Sequence, residues 1–196
     1  YTIAMTIRGD STEYELLKKW CETLPFFQEP KSVTTCEIGV REGLGSKIIM
    51  LGLRARIGKK PYQHIGIDPY GNLKYQHYDN SEEHTQDYTE SMRLEMQKDF
   101  SDHKEFTFFH MKDIDYMNYF ATQPLVYDLV HFDGPHMTKD VIREAVWFAD
   151  RSRKGTRFIF DDYGKYRMDD ISKTLEYFGF NISESGENKI MLQRLK

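Results

Sequence analysis

At 196 residues, 39% apolar, 14% aromatic and 30% charged, the chain has the make-up of one soluble domain and is excluded from the disordered class. A net charge of −4 argues against a nucleic-acid partner, which favours a basic face, although Arg54, Arg56, Lys59 and Lys60 form a local basic patch. Two cysteines, Cys21 and Cys36, no signal-peptide core and no apolar run of membrane-spanning length point to a reduced, cytoplasmic setting with no disulfide framework.

The chain opens on Tyr1, not Met, as a trimmed chain would. Residues 1–30 read as a helical extension of a single domain spanning 1–196. Asp10 to Thr12 supply capping residues, Thr12 and Glu15 have capping-box spacing, and Tyr14, Leu17, Cys21 and Leu24 share one helical face before Pro25. Val33 to Val40 reads as a first strand. A glycine turn follows, then a helix with Leu44, Ile48 and Leu51 in a stripe ending near Gly58, and a second strand over Tyr62 to Asp68. Residues 69–84 are polar and tyrosine-rich and read as a loop over the site, with a helix from about Glu82 to Phe100.

Three further strands are expected over Glu105 to Met111, Tyr127 to Gly134 and Thr156 to Asp162, with a helix from about Thr138 to Arg151 between the last two. Strands alternating with helices give a parallel α/β sheet covered on both faces. After a helix at Asp169 to Tyr177, two apolar runs flank SGEN as an antiparallel hairpin. The fold class is therefore α/β: a Rossmann-like, doubly wound, mostly parallel seven-stranded sheet with an antiparallel C-terminal hairpin.

The turn CEIGVREGLGS places Glu37, Gly39, Gly43, Gly45 and Ser46 where a strand becomes a helix, so backbone can approach a ligand at a positive helix end. Its G-x-x-x-G-x-G spacing resembles both the short-chain dehydrogenases and the class I methyltransferases that use S-adenosylmethionine (SAM). In either, an acidic residue closing the second strand, here Asp68, holds ribose hydroxyls. Glu37 ahead of the first glycine and the terminal hairpin resemble the methyltransferases. The Tyr-x-x-x-Lys pair of the dehydrogenases occurs only as Tyr14/Lys18 and Tyr70/Lys74, both misplaced in the chain.

Asp133 closes the fourth strand and Asp161 and Asp162 close the fifth, where open α/β sheets bind ligands. If those strands are neighbours, about 4.8 Å apart, the three carboxylates can meet, a set of hard oxygens suited to Mg²⁺ and poor for zinc. Successive strand residues face opposite sides, so this convergence needs a turn that begins at Asp162.

The segment HFDGPHMTKDVIREAVWFADRSRKGTRFIFDDY, with EIGVREGLGS and HIGIDPYG, resembles the macrocin O-methyltransferase family from about Val33 to Tyr163. The resemblance implies a SAM-dependent O-methyltransferase in which Asp133, Asp161 and Asp162 bind a divalent cation. It also implies a catalytic base shortly after Asp133, for which His136 is the candidate; Pro135 stands where some relatives carry an acidic residue. Cofactor contacts then fall to Glu37, Gly39, Gly43, Gly45, Ser46, Asp68, Asp113 and Asp133, with Asp113 either near the adenine or a helix cap. Tyr70, Tyr75 and Tyr78 are candidates for a pocket wall.

The expected acceptor is a small molecule with a hydroxyl, either a sugar or an aromatic diol. Two alternatives stand beside it, a metal-independent SAM methyltransferase acting on oxygen or nitrogen and an NAD(P)-binding oxidoreductase. Homo-oligomerisation is left open by the sequence.

Overall fold

In a computed structural model, which describes Gly9 and residues 11–196, the chain forms α1 (Tyr14–Glu22), β1 (Val33–Ile38), α2 (Leu44–Ile57), β2 (Tyr62–Ile67), β3 (Lys74–Gln76), β4 (Glu83–Thr85) and α3 (Glu90–Asp99). It continues through β5 (Phe106–Phe109), α4 (Asp113–Tyr119), β6 (Tyr127–Phe132), α5 (Thr138–Ala149), β7 (Ser152–Phe160), α6 (Met168–Glu176), β8 (Phe180–Ser185) and β9 (Ile190–Arg194). Asp10 and residues 1–8 of the expected N-terminal extension lie outside the described residues.

The main sheet has seven strands in the order β5-β2-β1-β6-β7-β9-β8. The first five run parallel, while β9 pairs antiparallel with β7 and β8. Period-two alternation splits the strand residues between two cores. Val130, Phe158 and Phe160 join Tyr116, Val141, Phe148, Ile171 and Leu175 from α4, α5 and α6. Leu129 and Ile159 face the other way, onto Leu17, Trp20, Ile49 and Leu53 of α1 and α2. Both faces are covered, which is why the inner strands are continuously apolar. No helix of the described residues is long and apolar enough to cross a membrane.

Two expectations are corrected. The Thr12–Glu15 capping box does not form: Glu13 is the N-cap of α1 in a left-handed conformation, φ 58°, with no side-chain cap bond. Its carboxylate instead accepts the backbone N–H groups of Glu187, Asn188 and Lys189 at 2.8–2.9 Å, three donors on one turn. The helix expected from Glu82 begins only at Glu90, after Thr89, whose hydroxyl caps the Met92 N–H at 3.2 Å. The residues before it pair as the antiparallel β3–β4 hairpin, so the expected loop over 69–84 carries its own structure.

Candidate active site

The strand order reverses between β1 and β6, and at such a switch point the loops part to leave a crevice. Backbone bonds carry the ladder one residue past each strand: Gly39 N–H to Ile67 O and Asp133 N–H to Ile38 O, both 2.9 Å, and Asp161 N–H to Phe132 O, 3.0 Å. Asp68, by the same device, bonds Phe109 O at 3.2 Å. Four elements thus deliver their terminal residues to one rim, around a cleft of about 870 Å³, within the range of small-molecule sites. Of the expected cofactor residues, Glu37, Gly39, Gly45, Asp68, Asp113 and Asp133 line it, whereas Gly43 and Ser46 do not.

The glycines are required by space. A Cβ on Gly39, φ +88°, would lie 2.0 Å from the Asp133 carbonyl oxygen, and one on Gly45 2.0 Å from Glu37 Oε1. Gly43 instead serves packing, since its Cβ would meet Phe100 at 2.6 Å. Ser46 is fully buried and gives its hydroxyl proton to Glu37, while His64 Nε2 lies 2.9 Å from the same hydroxyl. His131 Nδ1 meets Glu37 Oε1 at 2.8 Å, and Thr35 Oγ1 meets His64 Nδ1 at 2.9 Å. Glu37 is therefore the cleft end of a polar chain buried beneath the turn. Burial pulls the His64 pKa down to about 4, so that ring stays neutral. Nothing in the sequence marks His131 for this role, because a histidine inside an apolar strand reads as filler.

Asp68 is buried, and burial raises its pKa against the backbone N–H groups that favour its charge. Those of Arg41 (2.9 Å) and Tyr70 (3.1 Å) meet one oxygen each, leaving lone pairs for ligand hydroxyls. The Tyr70 hydroxyl donates to Arg41 O beneath the turn, so Tyr70 and Lys74 do not form a hydride-transfer pair, and Tyr70 is a support, not a pocket wall. Asp113 is the first residue of α4, whose N-cap is Lys112; it pairs with Arg143 at 3.0 Å. A buried acid with free lone pairs at the end of β2, a glycine turn beside it and the cleft volume fit SAM.

Asp161, which also lines the cleft, is enclosed by donors. Lys189 donates to it, Ser11 Oγ lies 3.0 Å from both its oxygens, and Asn188 Nδ2 donates at 3.1 Å. Burial and the neighbouring Asp161 charge hold the Asp133 carboxyl well above its usual range, and it shares a hydrogen bond with Asp161. Burial works against the charge of Asp161, but that hydrogen bond and Lys189 outweigh it and hold its pKa below the ordinary value.

The expected turn at Asp162 is present, with φ 51°, but it sends Asp162 elsewhere. Its Oδ2 accepts from Tyr78 OH at 3.1 Å and stands 3.9 Å from His136 Nε2. Each of His77, His136 and Asp162 offers a ligand atom within 4.8 Å of the others, a histidine-rich set unlike that of Mg²⁺. Asp133, Asp161 and Asp162 form no such group, so the three carboxylates expected to share a divalent cation do not fit one as they stand.

His136 is buried on the cleft wall, its ring stacked on Tyr78 (5.8 Å) and Tyr166 (5.4 Å) and meeting His77 edge-on at 4.9 Å. Its backbone N–H donates to His77 O at 2.9 Å, while Asp79 accepts from Thr138 N (2.8 Å) and Oγ1 (2.5 Å) at the start of α5. Burial, then the neighbouring His77, pull its pKa down to about 4 despite Asp162 and Asp161. The imidazole is neutral near pH 7.

Residues 36–163 match a family model described as a methyltransferase domain. The chain belongs to that family. It is a SAM-dependent methyltransferase, and the oxidoreductase alternative is set aside. No curated protein sequence matches it. Among solved structures, the O-methyltransferase from Bacillus cereus in complex with SAH is similar with a TM-score of 0.62 at 10% identity, over 97% of this chain and 84% of that one. The calicheamicin methyltransferase CalS11 gives a TM-score of 0.59 at 11% identity, over 92% of this chain and 76% of its own. At those identities the likeness of this methyltransferase to them is one of fold.

Proposed function

We propose that this methyltransferase moves the methyl group of SAM to a hydroxyl of a small molecule, with His136 as proton acceptor. The observation that carries this is a buried imidazole on the cleft wall, 3.9 Å from the Asp162 carboxylate. When bound, SAM supplies a methyl group on a positively charged sulfur, which a nucleophilic oxygen can attack. Asp68 then takes the ribose hydroxyls, Asp113 stands toward the adenine, and Glu37, Gly39, Gly45 and Asp133 line the part nearest β1 and β6. His136 takes the acceptor's hydroxyl proton, and Asp162 favours the resulting imidazolium. Asp133, Asp161 and Asp162 do not form a divalent-cation set as placed, so proton removal falls to His136.

Tyr75, His77 and Gln86 face the same cleft from the β3–β4 hairpin and the residue after it, offering rings and hydrogen-bonding groups to a cyclic acceptor. A sugar or aromatic diol is the proposed class. CalS11, a TDP-rhamnose 3'-O-methyltransferase, is a similar structure that supports a sugar hydroxyl. The test is incubation with methyl-labelled SAM and a panel of sugar nucleotides, aromatic diols and matching amines. Label on a hydroxyl oxygen is expected, and label found only on amine nitrogen would overturn the proposal.

Asp68→Ala should weaken binding of S-adenosylhomocysteine (SAH) roughly 10- to 100-fold, the worth of hydrogen bonds to a charged group. Calorimetry with SAH measures this, with the melting temperature recorded because Asp68 also ties down the Arg41 and Tyr70 backbone.

A further inference from the structure

The turn between β8 and β9 is closed by the Gly186 N–H on Lys189 O at 2.7 Å and held from outside by Glu13. So anchored, Lys189 runs inward with no exposed surface. Its ammonium donates to Asp161 Oδ1 and to Ser11 Oγ at 2.6 Å, and stands 5.8 Å from the centre of the Tyr14 ring. A lysine this deeply buried keeps its charge only when paired, and Asp161 is the partner supplied.

Oδ1 of Asp161 in turn has little left to offer. An ionised carboxylate has about four lone-pair sites. Here Lys189, Ser11 and Asn188 crowd Oδ1, and Ser11 also stands 3.0 Å from Oδ2. An ion seated between Asp133 and Asp161 would also lie against the ammonium. Like charges so close repel, and more strongly inside a protein than in water.

We propose that Lys189 is this methyltransferase's own cation at the Asp133–Asp161 pair, occupying with its ammonium the position that a divalent ion would take. The inference rests on Asp133 and Asp161 facing the methyl-transfer cleft, as proposed above, but its test needs no turnover, so the two can fail separately.

The experiment is a calorimetric titration of Mg²⁺ into the full chain with SAH present. Mg²⁺ is chosen because the His77, His136 and Asp162 group suits it poorly. The unmodified protein should show no saturable Mg²⁺ binding at millimolar concentration. Lys189→Met keeps the apolar stem and removes the charge, and Lys189→Ala removes both. In whichever of these folds by circular dichroism, a single saturable Mg²⁺ site should appear, at least tenfold tighter than in the unmodified protein. It should vanish again when Asp161→Asn is added. Two results overturn the proposal: saturable Mg²⁺ binding by the unmodified protein that weakens tenfold or more in Asp161→Asn, or a folded Lys189 variant that binds no Mg²⁺. The first needs no Lys189 variant to fold.

Discussion

Gly39→Ala is expected to cost roughly 3 kcal/mol or more of stability and to abolish measurable SAH binding. Two effects add at this position. The backbone sits at φ +88°, where an L side chain is strained, and the new Cβ would lie 2.0 Å from the carbonyl oxygen of Asp133. That oxygen belongs to backbone tied into the sheet, since the Asp133 N–H bonds Ile38 O at 2.9 Å, so relief requires β1 and β6 to separate at their carboxyl ends. The cleft is bounded by those same ends, and its geometry changes with them. Gly58→Ala is the control, because Gly58 also has positive φ, +62°, but no atom within 4 Å of a new Cβ. It should lower the melting temperature while leaving SAH affinity within about twofold. For Gly39→Ala the melting temperature should fall by roughly 6–12 °C. A folded Gly39→Ala protein that binds SAH normally would show that the contact between the two strand ends does not shape the site.

Much of this geometry was legible because it is local. Strand, glycine turn and helix follow from period-two and period-three-to-four patterns around Glu37 to Leu51, and an acid after a buried strand must emerge at the rim. The sheet's seven strands and the final hairpin follow from the same signals. What failed to read depends on long-range partners. Glu13 and Glu15 are equally acidic near a helix start, yet Glu13 is drawn away by three N–H groups more than 170 positions along the chain. Lys189 looks like one more exposed lysine beside a turn, and only the folded hairpin shows it inside, against Asp161. His77 lies in a polar, tyrosine-rich stretch that reads as loop, and its place beside His136 comes from β3–β4 pairing and the Asp79 bonds to α5. The adjacent acids Asp161 and Asp162 were legible as a pair but not their separation. That follows from one left-handed residue, Asp162, which sends the two side chains to different partners.

That separation gives Asp162 to His136 and sets the second large effect. His136→Ala should lower kcat by roughly 10²–10⁴, the range for losing a general base, while SAH affinity stays within about threefold. The pH dependence distinguishes a proton acceptor from a packing residue. Burial and then His77 pull the His136 pKa to about 4, against Asp162 and Asp161, which raise it, with His131 lowering it further. The imidazole is therefore able to accept a proton at every pH above that value and loses the ability as pH falls through it. The free enzyme's kcat/KM should show no acid limb near the ordinary histidine value of about 6.5 and should decline only toward pH 4. The His136 ring-proton resonance, followed by NMR, should titrate in the same low range. Asp162→Asn removes a carboxylate 3.9 Å from Nε2 that favours the imidazolium, so it should cost about tenfold in kcat and move the titration lower still. An acid limb that persists unchanged toward pH 4 in His136→Ala would assign the base to another group. Full activity in that variant would leave the histidine only its stacking on Tyr78 and Tyr166.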